Sequence, residues 1–413
     1  MTIVAARAGF PAGERPLARL LAPFVALHAA MAAYDLQNPA RFFNADRAEE
    51  RLASLERLAG TWQWGGDLTA LLAGQGIVGD WLPHAVLYLA GGAPLVILAQ
   101  VLLALLSIAC VRSIGLRLGL GEAHASAAAA LYGLLPHTLV YPHQLAAEGL
   151  FVPLVVLSFA AANTARRGLA MGAAILVRPV AALWPFVLKG LRLADWRYFG
   201  LALVPLLLWI SFVKVEAGEL GIARGHTDLG SNLYQRAVRM TGGEQGAGRM
   251  TPFEYLQFIA ARPEEAAAHH GRDLATLAFK SGIERVVLDY LDLFPGVRAD
   301  LQRTDSGWRR RLEHDGPAAT LRRLFADAPA LTLVSLACAL AFGALMLLAL
   351  RGAFAPAADT KLRLALAAFA VYVFVTAQAV DAASSRHRAP AEFALCLLAV
   401  LALAPRQKAK HGR

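Results

Sequence analysis

Long apolar runs alternate along this chain with short basic connections. Uncharged runs occupy 20–34, 81–111, 123–147, 149–165, 168–177, 179–188, 198–213, 328–350, 364–380 and 393–405. A helix needs roughly 20 apolar residues to cross the ~30 Å hydrocarbon core of a bilayer. In lipid a helix satisfies its own backbone, whereas an open strand does not. The pattern therefore predicts an all-α, polytopic membrane helical bundle.

The connections set the orientation. Arg117, Arg166-Arg167, then Lys189, Arg192 and Arg197 close successive runs; Arg351, Lys361 and Arg363 follow, and Arg406, Lys408, Lys410 and Arg413 come last. Short loops rich in Lys and Arg stay in the cytoplasm. All of these share one side only if 168–188 is a hairpin turning near Arg178, with arms of about 13 residues, or roughly 20 Å each. Arms this short border a cavity that dips into the membrane, because irregular backbone at that depth must face protein or water. The count becomes about ten transmembrane helices with both termini cytoplasmic. The outer side then receives 36–80, the turn at 137–145, the hairpin tip, 215–327 and 381–389. The expected organisation is an N-terminal transmembrane module over 1–214 with its first outer loop at 36–80, an extracytoplasmic helical segment over 215–327, and C-terminal transmembrane helices over 328–413. The first run is expected to be an uncleaved helix; the alternative is a signal peptide ending near Ala30-Met31-Ala32. Either leaves residue 36 outside.

Composition agrees. Only 17% of residues are charged and 57% are hydrophobic, against about 25% charged in soluble domains. The net charge of +10 invites a nucleic-acid reading, which the orientation removes, because much of the excess sits in short loops on one side. Cys110, Cys338 and Cys396 all fall in apolar runs, with neither metal-ligand nor disulfide spacing, and read as small buried hydrophobes.

The outer segments are amphipathic. In 46–59, Leu52, Leu55 and Leu58 share a face opposite Arg47, Glu50, Arg51 and Arg57, and Trp62, Trp64 and Trp81 suit a membrane–water interface. In 215–327 acidic and basic residues nearly balance, and 252–270 and 272–294 carry apolar residues at helical spacing. That segment is too polar to span and too long for a connector, so it reads as a cap or a set of surface helices. Gly242-Gly243-Glu244-Gln245-Gly246 reads as a flexible loop; a phosphate cradle would require a preceding strand.

Against this background the ionisable residues inside apolar stretches stand out, since such positions cost several kcal/mol and mark function by default. Arg178 lies alone in an uncharged stretch, followed by Pro179, and Arg386-His387-Arg388 forms a cationic run on the same outer side. The guanidinium fork suits phosphate. Arg178 could instead snorkel to water or pair with Glu148, and the later run could be a solvated turn. Glu148 begins a membrane run. Asp46 opens the first outer helix and fits two roles, N-cap of the Asp46-x-x-Glu49 capping pattern or general base. His137 and His143 share one turn without a third metal ligand. Tyr141, His137, His143, Asn232 and Tyr234 are possible cavity-lining residues. No cofactor is evident, and no loop clusters oxygen ligands for a divalent metal, although such a metal remains open.

The order of these features resembles the GT-C glycosyltransferases, closest to the protein O-mannosyltransferase and lipid A aminoarabinose transferase group. Asp46 matches that family's acidic residue after the first helix. Pro136, Tyr141 and Glu148 match a Pro-then-Tyr outer turn leading to a membrane Glu. Gly168 to Pro179 match a Gly-rich helix ending in Arg-Pro, Pro205 and Trp209 a helix before a large outer segment, and Arg386 to Pro390 an Arg-rich turn before a late helix. The likeness covers most of the chain outside 215–327. Here Asp46 is followed by Arg47, where many relatives pair two acids, which leaves the acting carboxylate open, with Glu49 and Glu148 as possible second acids beside Asp46. The resemblance implies transfer of a sugar from a polyprenyl-phosphate donor to a lipid, glycan or protein acceptor at the outer face of a bacterial inner membrane, by inverting displacement. Asp46 would be the base, and Arg178, Arg386 and Arg388, with His387, would hold the departing phosphate. A lipid-linked saccharide transporter could use the same cations, but would be expected to show pseudo-symmetric halves, and no internal repeat is visible. A non-catalytic membrane scaffold would not need the cations.

Overall fold

The computed structural model describes residues 15–37, 78–218, 229–242, 248–280, 329–379 and 385–405, with a few isolated positions between. Most of 36–80, including Asp46, Glu49, Trp62 and Trp64, and most of 281–327 lie outside the described residues, as does the Gly243–Gly246 stretch.

Every described regular element is helical. In chain order these are α1 (Arg15–Gln37), α2 (Val78–Arg117), α3 (Glu122–Gly133), α4 (Pro136–Val140) running into a 3₁₀ turn Tyr141–His143, α5 (Glu148–Ala160), α6 (Thr164–Val177), a 3₁₀ turn Pro179–Leu183, α7 (Trp184–Gly190), α8 (Trp196–Ala217), α9 (Leu229–Met240), α10 (Pro252–Ala261), α11 (Pro263–Phe279), α12 (Pro329–Ala353), α13 (Thr360–Thr376), α14 (Ser385–Arg388) and α15 (Glu392–Leu403).

By length and composition, four stretches among the described residues are long and apolar enough to cross a membrane: Pro16–Gln37, Leu82–Arg117, Trp196–Glu216 and Pro329–Ala353. This is fewer than the ten expected. The reason is visible in the short helices α3, α5, α6 and α15, which at 12 to 14 residues reach only about 18–21 Å. Hydropathy fuses each with the apolar turn beside it. The connection 137–145, expected as an outer turn, is instead buried: every residue from 140 to 153 is inaccessible. The run 81–111 also holds a break, because Gly91 and Gly92 leave helical geometry and Gly92 takes φ +66°.

Small residues set the packing. Gly168 abuts Tyr198 and Leu201, and Gly172 abuts Leu201, Ala202 and Pro205, so α6 and α8 run parallel at close approach. The chain between them must come back, and it reverses at Arg178. Arg178 is extended (φ −141°, ψ 104°), as the residue before a proline prefers. Trp184 then anchors the return, fully buried against Phe159, Phe369 and Tyr372.

One end of the bundle is basic and well capped. The Asn163, Asp195 and Asp359 side chains accept from the backbone N–H of Arg166, Tyr198 and Leu362, satisfying donors that a helix start leaves unpaired. Arg117 donates to the Phe159 carbonyl at 2.9 Å there.

At the other end α9, α10 and α11 are tied down. Arg236 pairs with Asp273 and donates to Gln378 Oε1 at 3.0 Å, His270 Nδ1 donates to the same oxygen at 2.9 Å, and Tyr255 Oη donates to His270 Nε2 at 3.2 Å. Thr251 and Glu254 form a capping box at the start of α10, and the Thr251 backbone N–H holds the Glu254 carboxyl below its usual range. Because Arg236 and Asp273 are both buried, Arg236→Ala strands a carboxylate and should cost about 3–5 kcal/mol. An unchanged thermal midpoint in detergent would show that the latch holds nothing.

Candidate functional site

The ends of the short helices meet at one depth, and each carries a charge that suits its helix end. Glu148 and Glu392 are the first residues of α5 and α15, where the helix dipole favours a carboxylate. Arg178 caps the C-terminus of α6, where the dipole favours a cation. Pro179 and the hairpin reversal fix the Arg178 position, and α14 delivers Arg386 to the same place.

Arg178 and Arg386 converge on a single oxygen. Glu148 Oε1 accepts directly from Arg178, and Arg386 Nε lies 3.2 Å from it. The Glu148 side chain is 3% exposed, whereas Arg178 and Arg386 are 22% and 21% exposed. The carboxylate is therefore buried against two arginine side chains that are partly exposed. Arg178 also lies 6.0 Å from the Phe151 ring centroid.

A second charged group sits beside the first. Glu392 Oε1 accepts from His137 Nδ1 at 2.8 Å and from Arg388 Nε at 3.2 Å. Arg388 also donates to the Leu277 carbonyl at the end of α11, and its guanidinium carbon is 4.1 Å from the Phe342 ring centroid. Phe342 falls close to the middle of α12, so this group lies about half-way down a helix long enough to span. His387, between the two arginines, is half-buried.

The two carboxylates and His137 border a small cleft of about 20 Å³, lined by Tyr132, His137, Tyr141, Glu148, Pro153 and Glu392 among others. Tyr141 stacks on His137, with ring centroids 5.4 Å apart. Its floor is narrow because Gly149 lets Gln100 approach; a methyl group there would lie 2.5 Å from Gln100 Oε1. Gln100 is itself bonded to His84 at 2.8 Å.

Three residues expected near the cavity lie elsewhere. His143 faces away from the cleft lining and bridges Asp35 and His28: its Nδ1 is 2.6 Å from Asp35 Oδ2 and its Nε2 is 2.9 Å from His28 Nδ1. All three are buried, and the chain pins α1 to the turn after α4. Asn232 and Tyr234 sit on α9; Tyr234 packs on Gly248, and neither is among the residues lining the cleft. Asp46 and Glu49 are outside the described residues. Among the described residues, no group of three or more His, Cys, Asp or Glu side chains is arranged to hold a metal ion.

Glu392, Asp35 and His28 were not legible as partners. Glu392 carried one signal, its spacing of four from Arg388, which puts both on one helical face.

Comparison of the chain with protein-family models, with curated proteins and with solved structures finds no match. The functional reading therefore stands on the geometry and on the residue pattern.

Proposed function

We propose that the cleft holds the phosphate of a polyprenyl-phosphate sugar, and that the chain is an integral-membrane glycosyltransferase of the GT-C kind. In this reading the bundle has about ten membrane helices with both termini cytoplasmic, the basic loops facing the cytoplasm and the cleft opening to the outer face of a bacterial inner membrane. The observation that supports it is the convergence of Arg178 and Arg386 on Glu148, a carboxylate that itself lines the cleft. Two arginines against one carboxylate leave a net positive charge, and the guanidinium plane suits a phosphate.

The reaction is an inverting displacement. An acceptor hydroxyl attacks the anomeric carbon, and the bond to the phosphate oxygen breaks with its electron pair. The cations stabilise the charge that grows on the departing phosphate. Asp46 is the residue that the family resemblance supplies as base. The acceptor is a lipid, glycan or protein.

Mass spectrometry of the lipid that co-purifies with the protein tests the donor. A polyprenyl phosphate carrying a sugar is expected; protein that neither carries nor binds a polyprenyl phosphate would falsify the reading. Asp46→Asn is expected to fold and bind the lipid while losing transfer. Movement of the intact glycolipid across a proteoliposome, without loss of its sugar, would favour a transporter instead.

A further inference from the structure

His137 is the group in the cleft whose chemistry is still unassigned. Its Nδ1–H donates to Glu392, which fixes the ring orientation and the tautomer. Its Nε2 is buried and has no hydrogen-bond partner among the described residues. A buried ring nitrogen left unpaired is costly, so its presence on the lining of a charged cleft asks for a ligand. Gly282, at φ +82°, lies over this nitrogen, and a methyl group there would be 2.6 Å from Nε2. Only a residue without a side chain can approach Nε2 this closely.

The charges around this nitrogen sharpen the role. Facing or bordering the ring are Glu392 and Arg388 from α15 and α14, Glu148 from α5 with Arg178 and Arg386 on it, and the phenols of Tyr141 and Tyr132. Three guanidiniums stand against two carboxylates, so with neutral His137 this group carries one net positive charge. That matches the single negative charge of a phosphodiester donor. The leaving polyprenyl phosphate is a monoester with a second charge, since its second ionisation lies near pH 6. The cleft is balanced after the reaction only if it gains a proton.

We propose that His137 Nε2 is the proton acceptor of this cleft, charging as the bound phosphate gains its second negative charge. The proposal rests on the glycosyl-transfer reading. In the balanced step the acceptor O–H bond breaks, Asp46, the base of that reading, takes the proton first, and the proton is passed on to rest on Nε2. The acceptor oxygen bonds to the anomeric carbon, the anomeric carbon–phosphate oxygen bond breaks, and polyprenyl phosphate leaves as a dianion against an imidazolium. Glu392 is a positioning residue: it holds the ring and stabilises the imidazolium through Nδ1–H.

The test uses the full-length protein in detergent and undecaprenyl phosphate as the probe, with no sugar or acceptor required. Binding is measured calorimetrically at pH 8 in two buffers of different ionisation enthalpy, which counts protons taken up. Wild type is expected to bind with proton uptake. His137→Asn keeps a donor at the Nδ1 position and removes Nε2, and is expected to bind without that uptake. Glu392→Gln is expected to reduce it. With a sugar-loaded undecaprenyl phosphate, His137→Asn should slow release of the free lipid phosphate by about 10²–10⁴-fold. Equal proton uptake in wild type and in folded His137→Asn overturns the role of His137 alone. No binding by wild type overturns the lipid-phosphate reading and this proposal with it.

Discussion

Glu148→Ala is expected to lower the stability of the folded bundle by about 3–5 kcal/mol, because it leaves two guanidiniums facing each other at depth with their shared partner gone. The measurement is thermal unfolding in detergent, followed by the fraction of monodisperse protein. Arg178→Ala should behave differently. Glu148 then keeps Arg386, 3.2 Å away, so the fold is retained, while transfer falls by about 10²–10³-fold for a lost charge-stabilising donor. The contrast between the two variants is the informative result. If Glu148→Ala melts like wild type, the carboxylate is not the keystone of the cation pair. If Arg178→Ala keeps full transfer, the exposed guanidinium does not hold the leaving group. Glu148→Gln separates charge from shape: its amide oxygen can still accept from both arginines, so it should fall between wild type and Glu148→Ala in stability.

How this site could be read beforehand differs residue by residue. Arg178 was legible because one cation in an uncharged run has few innocent explanations, and Glu148 was legible for the same reason. Their pairing was one of two options for Arg178, and the structure brings them together. His137 and Glu392 are 255 residues apart, and nothing in a single sequence ties an imidazole in one turn to a carboxylate in a late helix. Among the described residues fewer helices are long enough to span than there are apolar runs, for a physical reason. Hydropathy measures the cost of leaving water, and a buried turn such as 140–147 leaves water as fully as a helix does. Such turns therefore merge with their short neighbours into runs that look long enough to span. The Gly91-Gly92-Ala93-Pro94 sequence did announce its break, since φ +66° at Gly92 is a conformation that glycine adopts at no steric cost. The cap segment was legible as amphipathic helix, but its latch on Gln378 was not, because an uncharged amide at the end of an apolar run gives no sign of the arginine it will meet.

Gly352→Ala is expected to be at least as damaging as the loss of Glu148, although it touches no charge. Phe342 of α12 lies against Arg388, and Gly352 lies against Leu398 of α15, so the two helices descend together. At Gly352 the approach is backbone to backbone: an added methyl group would overlap the Leu398 carbonyl oxygen and its carbon. Overpacking in a tight core typically costs about 1–3 kcal/mol when side chains can shift, and more when they cannot. Here no rotamer change relieves the overlap, so α12 and α15 must separate. That movement has a functional reading, because α15 begins at Glu392. Displacing it should pull Glu392 from His137 Nδ1 and from Arg388, loosening the cleft some six residues above the substitution. Gly352→Ala should therefore unfold at a lower temperature than wild type by more than an alanine at lipid-facing Leu347, 71% exposed, and any folded fraction should bind undecaprenyl phosphate more weakly. Wild-type stability and binding together in Gly352→Ala would mean that the two helices are not in backbone contact, and that the depth assigned to the Glu392 group through α12 is wrong.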